Sequence, residues 1–231
     1  MRPATYGEKK LVIYSDYVWE ILKRKRKKAK AIMKKMNNLG LESILYGSVA
    51  RGDVKEDSDI DIFIPKNVPS YLIELALDDF EFLEKRIVQA TPNYAIKGEI
   101  VIDNEITVSF PLVKMKSREI DFYKFGGAIN FEELLQNKRK AGVDKRLMLI
   151  VPNDNGHKEI PLKDLQPFEV AKLLDVCIEI VEERVRVLER RREVGRTGIF
   201  LCKEIPPDKN FEEALKEIAK KNPAVRRRYF N

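Results

Sequence analysis

Ile44-Leu45-Tyr46-Gly47-Ser48-Val49-Ala50-Arg51-Gly52-Asp53-Val54-Lys55-Glu56-Asp57-Ser58-Asp59-Ile60-Asp61-Ile62-Phe63-Ile64 joins two short apolar runs through a polar loop. Gly47-Ser48 follows Ile44-Leu45-Tyr46, so it reads as a turn that leaves a buried strand. Asp59-Ile60-Asp61 then runs into Ile62-Phe63-Ile64. Side chains two apart on a strand share a face, so Asp59 and Asp61 project together while Ile60 and Ile62 project opposite. Two carboxylates side by side repel each other and call for a compensating cation. A hard ion that prefers oxygen ligands, chiefly Mg²⁺, suits such a pair. A Gly-Ser turn beside it lets backbone N–H groups and the Ser48 hydroxyl approach a phosphate. Metal and phosphate cradle together point to nucleotide chemistry.

The Gly47-Ser48 turn, the spacer and Ser58-Asp59-Ile60-Asp61 resemble the signature of the DNA polymerase β-type nucleotidyltransferase superfamily, and Arg51-Gly52 is similar to its small bacterial and archaeal members. The resemblance implies an α/β (α+β) fold, a mixed sheet flanked by helices with a helical C-terminal part. It implies transfer of a nucleoside monophosphate from an NTP, ATP foremost, to an acceptor hydroxyl, with two Mg²⁺ ions and release of pyrophosphate. Gly47 and Ser48 would then bind phosphate oxygens, and Arg51 would add a charge-assisted contact. A third metal-facing carboxylate is also implied, on a strand neighbouring the Asp59-Asp61 pair. Arg118 to Phe125 reads as a β-type run rich in aromatics, and Asp121 within it is the first candidate; Asp103 competes, and Glu105 and Glu119 are weaker.

The 231 residues can bury a sizeable core and hold one large or two small domains. No apolar run reaches the ~20 residues of a membrane span. The beginning lacks the order of a signal peptide, so a cytoplasmic protein without a membrane partner is expected. The two cysteines, Cys177 and Cys202, have no neighbour at zinc-ligand spacing and read as buried free thiols. With 44 Lys and Arg against 37 Asp and Glu, the net charge of +7 attracts polyanions. Abundant Lys, Arg and Glu also fit the composition of heat-stable proteins.

Along the chain, apolar spacing from Val18 to Leu39 predicts a long helix ended by Asn37-Asn38 and Gly40. Within it Lys23-Arg24-Lys25-Arg26-Lys27-Lys28 is the densest positive run, either a solvated face or a track for a nucleic-acid backbone. Residues 72 to 87 suggest one or two helices; 96 to 113 read as β structure with a turn at Asp103-Asn104. The lone His157 falls in a polar loop and reads as exposed. Val170 to Leu188 make a helical stripe that Gly195 or Gly198 ends, Phe211 to Ala219 a short helix, and Arg226 to Phe230 a basic, aromatic tail.

This divides the chain into a catalytic domain at residues 1–152 and a helical domain at 153–231. The acceptor expected from the basic composition is RNA with a tRNA-like end. The motif resembles that of archaeal CCA-adding enzymes, whose full set of domains a chain of this length does not hold. The competing acceptors are a small molecule, as in aminoglycoside nucleotidyltransferases, or a protein, as in the antitoxin-type members. A non-catalytic nucleotide- or RNA-binding module is the remaining alternative.

Overall fold

The computed structural model describes residues 6–195 and 198–230. Strand β1 (Lys10–Ile13) and the long helix α1 (Asp16–Asn38) come first, then β2 (Ile44–Tyr46), the single turn α2 (Ser48–Arg51) and β3 (Ile60–Phe63). Next are α3 (Ser70–Ala76), β4 (Glu84–Gln89), β5 (Lys97–Asp103) and β6 (Ile106–Pro111). They are followed by α4 (Ser117–Phe125), β7 (Ala128–Asn130), α5 (Phe131–Leu135), β8 (Gly142–Val143), β9 (Met148–Asn153) and β10 (Gly156–Pro161). The chain continues through α6 (Pro167–Leu174), α7 (Ile178–Val194), β11 (Leu201–Glu204), α8 (Phe211–Lys221) and α9 (Pro223–Phe230).

Seven strands form the main sheet in the order β11-β4-β5-β6-β3-β2-β7. It is mixed: β3 runs parallel to β6, with Asp61 opposite Thr107, whereas β2 runs antiparallel to β3, with Tyr46 opposite Asp61. A second, antiparallel sheet takes the order β1-β10-β9-β8. Both sheets and their flanking helices give the mixed α/β architecture that the motif implies.

The first core lies against the main sheet. Helix α1 buries Ile21, Leu22, Ala29, Ile32, Met33 and Met36, a stripe at helical spacing, onto Leu45, Ile60, Ile62 and Val108. Burial of one such aliphatic side chain contributes about 1.5–3 kcal/mol. Phe211, Leu215 and Ile218 of α8 join this same core. A second core gathers Val143 and Leu149 of the small sheet with Val170, Leu174, Ile180, Val181 and Leu188 of α6 and α7. The C-terminal helices are thus shared between two cores, and residue 152 falls inside β9, in register with His157 of β10.

Several local expectations change. Residues 84–89 are a strand, because Ile87 and Val88 fill a place between β5 and β11 that a helix would not. The stripe from Val170 to Leu188 is two helices, broken at Asp175 with φ 52. His157 is only 4% exposed, since β10 lies between β1 and β9; it shares a 2.7 Å hydrogen bond with the Tyr14 hydroxyl. Cys202 stands exposed on the edge strand β11, and both cysteines are free thiols. No described helix is long and apolar enough to cross a membrane.

Candidate active site

The turn and the acidic pair meet because β2 and β3 are neighbours. Gly47 has φ 82 and ψ −152, a conformation that a side chain disfavours, and a Cβ built there would lie 3.9 Å from Asp61 Oδ2. The backbone of the turn therefore lies directly beside the carboxylate, and its positive φ is what asks for glycine. Its N–H donates to Gly127 O (2.9 Å), which fixes the turn against the chain entering β7. From the other side Arg26 of α1 donates to Val49 O (3.0 Å) and Ala50 O (2.9 Å). A buried guanidinium thus satisfies two carbonyls of α2, and Ser48 begins that helix.

The spacer is a compact loop in which Ser58 Oγ accepts from Lys55 N–H at 2.8 Å. It ends as Ile60 N–H donates to Glu105 O, where β3 starts. Asp59 is exposed and Asp61 half-buried. Burial first, and then the Asp59 charge, push the Asp61 carboxyl up to about 6; Glu99 adds to this, while Lys145 and Lys97 oppose it. Two mutually repelling carboxylates with exclusively oxygen donors fit one hard divalent cation.

The same face of the sheet carries the surroundings of the pair. Phe63 stacks on Tyr123 of α4 with centroids 3.7 Å apart, and Tyr46 packs edge-on against the same ring. Lys97 of β5 sets its ammonium 5.9 Å over that ring. Burial lowers the Lys97 amine, and the Glu99 and Asp61 charges hold it up. Glu99 itself is bound by Arg86 at 2.8 Å and lies 3.8 Å from Lys97.

Two of the residues marked in the sequence have other work. Arg51 is buried, grips Asp53 through two 2.9 Å bonds and donates to Gly126 O at 2.5 Å. Its fork is spent on holding the turn to the loop before β7, which replaces the expected phosphate contact. Asp121 lies on helix α4, not on a strand, because the run 117–125 buries Glu119 and Tyr123, four residues apart on one helical side, with Phe125 buried in the second core. Its Oδ2 accepts from Cys177 N–H at 3.0 Å, where a carboxylate favours the start of α7.

The competitors are committed as well. Asp103 Oδ1 accepts from Glu105 N–H (2.9 Å), Glu105 binds Lys25 (2.5 Å), and Glu119 binds Arg228 (3.2 Å). Opposite Asp61 the neighbouring strand β6 presents Thr107, and opposite Phe63 it presents Ser109. Among the described residues no group of three His, Cys, Asp or Glu side chains is placed to hold a metal. The two-carboxylate pair by itself suits one ion.

Glu99, Lys97 and Lys145 are not among the residues that the motif marks. Alternation along β5 (Lys97, Glu99, Val101) is a usable signal for the first two, since it puts both on one face. Lys145 lies in the turn between β8 and β9, and no local pattern points from there to Asp61.

A family model described as a nucleotidyltransferase domain matches residues 26–139, which contain the turn, the pair and the strands that carry them. Searches of curated proteins and of solved structures found no match. Together with the Gly47-Ser48 turn set against Asp61, this match gives residues 26–139 the character of a nucleotidyltransferase domain, consistent with the DNA polymerase β-type superfamily.

Proposed function

We propose that this protein transfers a nucleoside monophosphate from an NTP, ATP foremost, to a hydroxyl at an RNA end. The observation that carries the reading is the open turn at Gly47, set against Asp61 with no side chain between. In the reaction the acceptor oxygen bonds to the α-phosphorus. The bond from that phosphorus to the oxygen bridging to the β-phosphate breaks, pyrophosphate leaves, and the hydroxyl proton passes to solvent. Mg²⁺ bound by Asp59 and Asp61 would supply charge neutralisation and acidify the attacking hydroxyl. Gly47 would let the triphosphate approach the backbone, and the Ser48 hydroxyl would donate to it. Lys97 and Lys145 add positive charge near Asp61. The net charge of +7 supports a polyanionic acceptor over a cationic small molecule.

A second reading is favoured by the commitments of Asp121 and Glu99: the domain binds nucleotide without transferring it. One experiment separates the two. Each of the four α-³²P nucleoside triphosphates is offered with Mg²⁺ and either total RNA, a mixed protein extract or no acceptor. Label on RNA supports the proposal, and label on protein moves the acceptor to protein. Nucleotide bound but never transferred establishes the second reading. Where transfer occurs, Asp59→Ala or Asp61→Ala should lower it roughly a thousandfold, the several kcal/mol that metal-assisted charge stabilisation is worth. Transfer within tenfold of wild type by either variant would remove the pair from the mechanism.

A further inference from the structure

Away from the acidic pair, the start of α4 and the last turns of α9 face each other across a groove of about 540 Å³. Lys114, Lys116, Ser117, Arg227 and Arg228 line it, with Asn93 from the loop between β4 and β5. Arg228 is 6% exposed and donates to Lys114 O at 2.7 Å and to Glu119 Oε2 at 3.2 Å. Glu119 Oε2 also accepts from Lys116 N–H at 2.7 Å. One buried ion pair therefore fixes the backbone under both lysines and ties α9 to α4, so the cations are held before any ligand arrives.

The groove is left with unmet charge. Lys114, Lys116 and Arg227 are exposed and have no ion-pair partner among the described residues. Glu119, the one carboxylate in the network, is buried beneath them. The Nε of Arg228, a side chain more than nine-tenths buried, also has no acceptor among the described residues. Glu119 Oε1 is buried without a donor as well, so the call for a ligand comes from the exposed cations above the pair rather than from the pair itself. Next to these cations stands Phe230, 76% exposed at the end of α9, with Tyr229 packed edge-on against it. Fixed cations beside an exposed aromatic ring are what a single strand of nucleic acid uses, phosphates on the first and a base on the second.

Position supports an RNA strand in particular. Strand β6 begins beside Asp59, with Ile106 opposite Ile60, and the groove follows its other end. Six residues of strand separate the two sites by roughly 20 Å. A strand whose end lies at Asp59 and Asp61 would pass a few nucleotides further on over the groove. We infer that the groove between α4 and α9 binds the phosphate backbone of the RNA acceptor, with Phe230 stacking on one of its bases. This rests on the reading of the acceptor as RNA.

The test uses the full chain and a fluorescent single-stranded RNA oligonucleotide of a dozen residues, followed by anisotropy from low to moderate salt. The variants are Lys116→Glu/Arg227→Glu and, separately, Phe230→Ala, all at exposed positions. Charge reversal should weaken binding at least tenfold and flatten the slope of log K against log salt by about 1.4, the share of two phosphate contacts to a single strand. Phe230→Ala should weaken it about fivefold or more and leave the slope unchanged. Nucleotide binding in the presence of Mg²⁺ should be the same in all. Variants that bind RNA as tightly as wild type with the same slope overturn the groove and leave the RNA reading standing. Wild type that binds nucleotide and no RNA overturns the acceptor reading itself, and the groove with it.

Discussion

Two of the basic regions of the molecule, helix α1 and the groove at α4 and α9, use their charge in opposite ways. Helix α1 carries the densest positive run, Lys23 to Lys28, yet Lys25 is 1% exposed against Glu105 and Arg26 is 4% exposed under α2. Arg24 pairs with Glu56, and Lys28 pairs with Glu105. The groove at α4 and α9 has fewer cations, drawn from segments more than a hundred residues apart, and three of them face solvent unpaired among the described residues. The difference is geometric. A helix turns 3.6 residues per cycle, so an unbroken run of six charges must send some towards the core side. Lys25 and Arg26 sit on the side that also buries Ile21, Leu22 and Ala29. Density of charge along a chain is not density of charge on a surface.

Removing Arg26 puts this contrast under the most strain. If the run serves the fold, Arg26→Ala deletes two charged hydrogen bonds and leaves the carbonyls of Val49 and Ala50 with no donor in a closed space. The expected loss is about 2–4 kcal/mol in urea unfolding. Nucleotide affinity should fall as well, because α2 follows directly from Gly47. Unfolding at the wild-type midpoint would return Arg26 to the role of a surface cation.

The acidic residues repeat the contrast, with opposite signs in pH. Glu105 has its pKa held below the ordinary range by hydrogen bonds from Lys25 and Lys28, which outweigh burial. Its contribution to stability is present above the unfolded value and is lost as pH falls through the depressed folded value. Asp61 is pushed up to about 6 from 3.8. The stability it contributes is full below about 4 and is lost as pH rises through 6. The gap between those two values sets a ceiling of about 3 kcal/mol on that loss, reduced by the partial exposure of the group. With chelator present, Asp61→Asn should therefore be about 2 kcal/mol more stable than wild type at pH 8 and equal to it near pH 4. A wild type whose metal-free stability is flat between pH 5 and 8 would mean that Asp61 is already neutralised by Lys97 and Lys145. The pair would then have no unmet charge to offer an ion.

The sequence is informative where local spacing and tertiary placement agree. The turn at Gly47, the strand that carries Asp61, the hairpin at Asp103-Asn104 and the helix from Asp16 to Asn38 are short-range patterns, and the structure has each of them; Asp59 lies just before that strand. It misleads where the deciding neighbour lies far along the chain. Arg51 reads as a phosphate ligand until Asp53 and Gly126 occupy its fork. Asp121 reads as a strand carboxylate because Ile120-Asp121-Phe122-Tyr123 has β-type composition, whereas the segment is a helix capped by Glu119 whose Tyr123 packs on the distant Phe63. His157 reads as a loop residue until β1, nearly 150 positions away, closes over it. Glu99 and Lys97 are visible as one face of an alternating strand, but their nearness to Asp61 depends on sheet order, which alternation does not encode.

The exposed lysines of α1 should respond least of all. Within that run Lys23 and Lys27 are exposed and have no partner among the described residues, so they alone could still serve a nucleic-acid backbone. They differ from Lys116 and Arg227 in two respects. No buried ion pair fixes the backbone beneath them, and the neighbouring cations that would have thickened the patch are tied to Glu56 and Glu105. Two long mobile side chains on a solvated helix gain little from a phosphate, because ordering them costs about as much as the screened attraction returns. Lys23→Ala/Lys27→Ala should therefore change RNA affinity by less than twofold and leave the salt slope within experimental scatter. A slope flattened by as much as in Lys116→Glu/Arg227→Glu would show that RNA follows α1 after all, and that fixing cations on a folded frame is not what separates the two regions.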